Sequence, residues 1–363
     1  MNTDVAPLDR DAHADDAGPS PASRSRRHRF LASLSPANIS VLYLAVAIVI
    51  LFSLWIPDLF LTSITLKTLL NNNAIPAFAA LALLLPLAAG LINLAVGAQV
   101  GAASMLTGWL LVNQGYGIWI TVAICLGMGI AVGIISGYLI VYWRIDSFIA
   151  TLGISSLLAA FTSGLSGGRQ ILGMPERFAE LGSSTLFGLT YPVWILLVVA
   201  LVLWYFLEKT PAGRRIYAVG GNIDAAKLSG VRTSRVIILS LVIGGAISAG
   251  AGVLLTAQLA NADPTLGPGY LLIAFTATFF GATQFGGRFN VWGTVLAVYV
   301  IAAGVKGLQL AGAPVWIPDA FNGAALLVAV AMATFKRSGR SSFWDPISRL
   351  LPWRRSKRTA FST

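Results

Sequence analysis

Apolar runs recur along nearly the whole chain between short polar or glycine-containing breaks. Counted against a hydrocarbon core about 30 Å thick, they predict helices at approximately 40–57, 74–92, 96–113, 117–142, 147–166, 189–207, 235–257, 270–285, 290–308 and 318–335. The expected fold is therefore all-α: a polytopic membrane protein with about ten transmembrane helices. Little more than glycine separates neighbours near 92–96 and 285–290. The chain divides into a tail at 1–38, a transmembrane domain at 39–336 whose long polar loop is 208–235, and a basic tail at 337–363.

Charge gives this array an orientation. Of the 25 Lys and Arg residues, all but Lys67, Arg169, Arg177 and Lys306 fall in the two tails or in alternate connections around Arg144, 209–235 and Arg288. Such a bias places the basic side, and with it both termini, in the cytoplasm. Charged residues make up 11% of the chain, far below the roughly one quarter of soluble domains. The net charge of +11 is spread over loops and tails, a distribution that excludes nucleic acid as the partner and fits a lipid bilayer.

The first 38 residues join an acidic stretch (Asp4, Asp9, Asp11, Asp15, Asp16) to a basic patch, Arg24-Ser-Arg-Arg-His-Arg29, with too few apolar residues to build a core. A disordered tail is expected there. A signal peptide is the competing reading, but no small-x-small cleavage pattern follows the first apolar run, and many further spans do. Cys125 is the single cysteine, and His13 and His28 both lie in the tail, so neither a disulfide framework nor a Cys/His metal site is expected.

Small residues sit inside the spans. Gly129-x-x-x-Gly133-x-x-x-Gly137, Gly97-x-x-x-Gly101 and the glycines of 244–252 predict close helix packing within one subunit, with a subunit interface as the alternative. Gly90-Leu-Ile-Asn-Leu-Ala-Val-Gly97 is echoed by Gly286-Gly-Arg-Phe-Asn-Val-Trp-Gly293, as two copies of one helical unit would produce.

In the 208–235 loop, residues 222–229 are helix-competent, with Gly220-Gly221 before them and Gly230 after as stop signals. A short helix between glycine hinges suits contact with another protein; the plainer reading is a solvated loop that fixes topology. Gly213-Arg-Arg-Ile-Tyr-Ala-Val-Gly-Gly-Asn-x-x-Ala-Ala-x-Leu-Ser-Gly230 closely resembles the coupling segment of permease subunits in bacterial ABC importers of the ribose/xylose/galactoside (monosaccharide) family. Arg144-Ile-Asp-Ser-Phe-Ile-Ala-Thr-Leu-Gly153 and Phe280-Gly-x-x-x-Phe-Gly-Gly-x-x-x-x-x-Gly-Thr294 strengthen the resemblance, which covers roughly residues 40–335.

The resemblance implies that Gly220, Gly221, Asn222, Ala225, Ala226, Leu228, Ser229 and Gly230 couple this chain to ATP-binding-cassette ATPase subunits. It also implies a bacterial plasma-membrane location, a second permease copy, identical or paralogous, and an extracytoplasmic solute-binding protein. ATP and Mg would sit on the ATPase, and no cofactor on this chain. In one place the chain departs from the family: Asn93 and Ala95 stand where Gly-Gly-Ile-Asp-Leu-Ser-Val-Gly has an acid and a hydroxyl. Replacing an acid that lines the path would alter cation or hydroxyl interactions and so the substrate, whereas an acid that only caps a helix is replaced by Asn cheaply.

The remaining residues narrow the class. The chain lacks Gly-x-x-x-x-Gly-Lys-Ser/Thr, so no P-loop cradles ATP here. Every Asp and Glu from Asp58 to Asp319 falls in a loop or near a predicted span end, which disfavours an ion-coupled carrier. Asn93, Gln99, Thr107, Thr151, Ser155, Gln258 and Thr276 are the polar candidates within the membrane region; Asn93, Gly97, Gln99 and Gln258 are assigned to a translocation path. Ser and Thr hydroxyls, by contrast, often bond their own helix backbone. Asn71-Asn-Asn73 reads as a helix-opening cap or a solute vestibule, and the 169–190 loop as an amphipathic connector or a docking surface.

A non-enzymatic transport subunit follows, moving a small polar solute, a monosaccharide by the resemblance, through alternating access. A branched-chain amino-acid permease, a gradient-driven carrier and a passive channel are the alternatives.

Overall fold

A computed structural model describes residues 40–283, 288–314 and 316–337. The tails read at 1–38 and 337–363, the latter apart from Arg337, lie outside the described residues. So do Gly286 and Gly287 of the internal echo, and Phe285, Gly286 and Gly287 of the third motif.

Every predicted span carries a helix. The chain runs through α1 (Ser40–Trp55), α2 (Pro57–Phe60), α3 (Ser63–Asn72), α4 (Ala74–Ala88), α5 (Val96–Gly108), α6 (Ile118–Val141), α7 (Ser147–Ser166) and α8 (Glu176–Ser183). A two-residue-per-strand hairpin follows, β1 (Thr185–Leu186) and β2 (Leu189–Thr190). It leads into α9 (Tyr191–Lys209), α10 (Pro211–Gly221), α11 (Ile223–Leu228), α12 (Thr233–Leu259), α13 (Gly269–Ala282), α14 (Val291–Leu310) and α15 (Ile317–Arg337).

Helix alone does not make a crossing. Among the described residues five helices, α6, α7, α9, α12 and α14, are long and apolar enough to span a membrane, or six if α3 and α4, bent by 41° at Asn73, form one span. The difference from the sequence count has a physical cause. At about 1.5 Å per residue, α1, α4, α5 and α13 are shorter than the hydrocarbon core, as is the apolar stretch Ile317–Ala331 of α15 among the described residues. The windows for α4 and α5 take in residues 89–92 and the π turn Trp109–Asn113, which lie outside α-helix. Interrupted helices persist at membrane depth where protein shields the backbone.

Such shielding is what the core supplies. Every residue of α4, an Ala/Leu-rich helix apolar all round, is buried, and so is every residue of α5. Around them pack α12, α13 and α14, whereas α6, α7 and α9 turn many large apolar side chains outward, among them Ile134, Leu157 and Val202. Small residues set the spacing. A methyl at Gly133 would stand 2.6 Å from the Leu241 carbonyl oxygen, and one at Gly137 would stand 3.0 Å from Ile238 Cα, so the Gly129, Gly133 and Gly137 ladder packs α6 against α12 inside the subunit.

The connections segregate to two ends. At one end Tyr217 bonds Phe289, Arg288 pairs with Glu208, and Ile92 bonds Ser147. At the other, Thr190 bonds Asn71, Gln258 bonds Asn71, and Ile171 pairs with Ala262. The first end gathers the Arg-rich connections.

Candidate functional site

The Arg-rich loop folds into two helices set end to end. Thr210 caps α10, accepting from the Gly213 amide at 3.3 Å, and Pro211 opens its first turn. Gly220 and Gly221, read from the sequence as a stop, form the last turn of α10, which ends at Gly221. Asn222 then ends α10 and caps α11, its Oδ1 accepting from the Asp224 and Ala225 amides at 3.0 Å each. Gly230, at φ +79°, turns the chain towards α12.

The site residues expected on this segment divide by face. Leu228 is 91% exposed and Ile223 39%, with Asn222, Ala225, Ser229 and Gly230 also exposed. Ala226 points the other way, 4% exposed, packed within the chain's own core. Gly220 also looks inward: a methyl there would run into the Ala88 carbonyl, and one at Gly90 would lie 3.2 Å from Gly220 Cα. The end of α10 therefore rests on the turn that closes α4, while Gly221 faces open space.

That turn leads into the segment holding Asn93. Between α4 and α5 the backbone is irregular; the Ile92 amide donates to Ser147 Oγ at 3.3 Å and the Leu94 amide to Thr151 Oγ1 at 3.0 Å. Asn93, 2% exposed, accepts from the Ala95 amide at 3.0 Å, an Asx turn leading into α5. Asn93 thus sits at the Arg-rich end, in the break and not within a helix.

The other path candidates lie elsewhere. Gly97 is a packing position, since a methyl there would stand 2.8 Å from the Gly267 carbonyl oxygen. Gln99, 1% exposed, reaches α12 near Gly245, and its Oε1 is buried without a hydrogen-bond partner among the described residues. Gln258 lies at the opposite end, donating to the Asn71 carbonyl at 3.3 Å, with Oε1 likewise unpartnered. Gln258 lies thirteen positions beyond Gly245 along α12, about 20 Å, so these amides do not form one site. Thr107, Thr151 and Thr276 donate to backbone carbonyls, as hydroxyls in helices often do.

Two groups escaped the sequence reading. Tyr217, within the quoted motif, donates to the Phe289 carbonyl at 2.7 Å, while the Arg288 guanidinium lies 4.2 Å from its ring centre and 3.6 Å from Glu208. Burial, with the Glu208 carboxylate beside it, pushes the Tyr217 phenol up to about 12. The signal was an aromatic amid arginines, legible only once its partner was known. At the opposite end a cavity of about 210 Å³ is lined by Thr68, Asn72, Asn73, Lys306, Gln309 and Asn322 among others. It carries the vestibule reading of 71–73 further, and Asn322, an amide in an apolar run, was its sequence sign.

The short helix α8 buries Phe178 and Gly182 against the rest of the molecule and exposes Glu176, Arg177 and Glu180. No group of three or more His, Cys, Asp or Glu positioned to hold a metal occurs among the described residues.

These features define a helical membrane transport subunit, and comparison with known proteins gives its family. The family described as branched-chain amino acid transport system / permease component matches residues 65–330, and the chain belongs to it. The ribose import permease protein of Haemophilus influenzae is 35% identical over 56% of this chain and 65% of its own length, so the aligned part spans just under two thirds of that relative. The ribose import permease protein of Bacillus subtilis is 33% identical over 78% of this chain and 88% of its own length. An autoinducer 2 import system permease protein of Yersinia enterocolitica is 32% identical over 69% of this chain and 78% of its own length. No solved structure gives a significant match. The chain is a multi-pass membrane permease component.

Proposed function

We propose that this chain is the membrane-spanning subunit of an ATP-binding-cassette importer that carries a monosaccharide or similar small hydroxylated solute into the cell. The exposed face of α11 carries the reading: Leu228 and Ile223 stand in solvent on a capped, six-residue helix whose other side is anchored in the core. Fully burying a leucine is worth about 1.5–3 kcal/mol, so this face gains by docking in a partner groove. The partner of that chemistry is an ATPase subunit holding ATP and Mg. Its closure would push α10 and α11 against the turn at Gly90, and through it the break at Asn93.

Ten crossings, both ends in the cytoplasm, a permease dimer and a solute-binding protein outside complete the proposal. The segregation of connections to two ends supports alternate crossing, because each observed contact joins segments that the charge pattern assigns to one side. Ribose in the names of two relatives supports a sugar over a branched-chain amino acid. In the five long spans the one acid is Glu208, in the last turn of α9 beside Arg288, and the lack of an acid at mid-span supports ATP over an ion gradient. Copurification tests the reading: an ATPase should be retained by the wild-type chain and lost from Leu228→Glu, and equal retention would remove α11 from the interface.

A further inference from the structure

Where α10 meets the start of α12, a cavity of about 470 Å³ opens to the surface. Its floor is apolar, with Ile216 and Val236 buried, and its lining includes the guanidinium-bearing Arg215, Arg232 and Arg235. All three arginines are exposed, and among the described residues none of them forms an ion pair. Leu239, one turn beyond Arg235 and 39% exposed, extends the cavity along the outer face of α12.

The depth of this cavity is fixed by its neighbour. Antiparallel to α12, α6 packs Gly137 on Ile238, and directly beyond Gly137 stand the exposed Tyr138, Tyr142 and Trp143. Exposed Tyr and Trp collect where membrane meets water. The arginines beside Ile238 are thus level with the lipid headgroups, and Leu239 lies on the hydrocarbon side of them.

We infer that this cavity binds the headgroup of an anionic phospholipid, the phosphate held by Arg215, Arg232 and Arg235 and the acyl chains laid over Leu239. Guanidinium groups match phosphate oxygens in paired hydrogen bonds, and basic pockets between helices on the membrane surface take anionic headgroups. A soluble phosphate would make no use of Leu239. An acidic protein surface would have to enter a concave site at headgroup depth; Ser229 and Gly230, which also line the cavity, mark where it borders the ATPase-facing end of α11.

The test is native mass spectrometry of the purified full-length chain with dioleoylphosphatidylglycerol or dioleoylphosphatidylcholine. Phosphatidylglycerol should be retained at least about tenfold better than phosphatidylcholine. The preference should vanish in the triple variant Arg215→Gln, Arg232→Gln, Arg235→Gln. Ala212→Trp, which fills the cavity and leaves all three cations, should abolish it too and decides the matter if the triple variant does not fold. Equal retention of the two lipids, or an undiminished preference in Ala212→Trp, overturns the inference. So does displacement by millimolar glycerol 1-phosphate, which would mark a soluble ligand, or loss of the lipid when the ATPase copurifies, which would assign the arginines to a protein interface.

Discussion

Gly220 and Gly90 meet backbone to backbone, so that a methyl on Gly90 would lie 3.2 Å from Gly220 Cα and one on Gly220 would overlap the Ala88 carbonyl. The contact joins the last turn of α10, immediately before the exposed α11, to the turn that opens the irregular stretch at Asn93. Under the proposed coupling, motion of the loop would pass to the break at Asn93 through this contact.

Neighbouring glycines provide the first prediction. Gly220→Ala forces the α10 end away from α4 and should lower ATP-driven uptake at least about tenfold, a change of about 1.4 kcal/mol in the coupled step. Gly221→Ala meets nothing within 4 Å and should transport like the wild type. Uptake is normalised to the amount of inserted permease. Equal rates for the two variants would show that the contact transmits nothing.

Opposite faces of α11 should fail in different ways. Ala225→Glu and Leu228→Glu place charge on exposed positions and should leave the fold intact while ATPase retention drops. Ala226→Glu buries a carboxylate in the chain's own core and should reduce the amount of folded protein, since an unpaired buried charge is expensive. Size-exclusion profiles and copurified ATPase distinguish these outcomes; a well-folded Ala226→Glu protein would contradict the inward placement.

Tyr217→Phe keeps the ring under Arg288 but removes the bond to the Phe289 carbonyl, a loss of about 0.5–1.5 kcal/mol. The phenol, raised to about 12, stays protonated from neutral pH up to its ordinary range near 10. Its stabilising effect is therefore complete below about pH 10 and fades as pH rises through about 12. Thermal unfolding of wild type and Tyr217→Phe should differ by a constant amount between pH 6 and 9, and a gap that changes within that window would assign the titration elsewhere.

At Asn93 the bond to the Ala95 amide needs only an acceptor. Asn93→Asp should fold in normal yield, and Asn93→Leu should lose folded protein through the broken turn, at a cost of about 1–3 kcal/mol for the unpaired amide. If both variants fold equally well while uptake alone changes, the residue acts on solute and its turn is incidental.

Much of the fold was legible because apolar runs and caps carry local instructions. Isolated spans such as α6 and α7 begin and end within a residue or so of their expected bounds, and Asn222 caps a helix at 223–228 where 222–229 was expected. The rest depended on what lies across the bundle. Gly220-Gly221 marks the end of α10 as a glycine pair should, but only the Ala88 carbonyl shows why position 220 has no room for a side chain. Likewise the inward turn of Ala226, the separation of Gln99 from Gln258 and the pairing of Tyr217 with Phe289 are tertiary facts with no periodic signature.

In the proposed cycle, energy enters through α11 from a partner that hydrolyses ATP. Its most direct test is uptake of a panel of radiolabelled monosaccharides by proteoliposomes containing the copurified complex and its solute-binding protein, with ATP supplied on the ATPase side. Accumulation should require both ATP and the binding protein, and should disappear with Leu228→Glu while that variant remains inserted. Accumulation without ATP, driven by an imposed proton or sodium gradient, would contradict it.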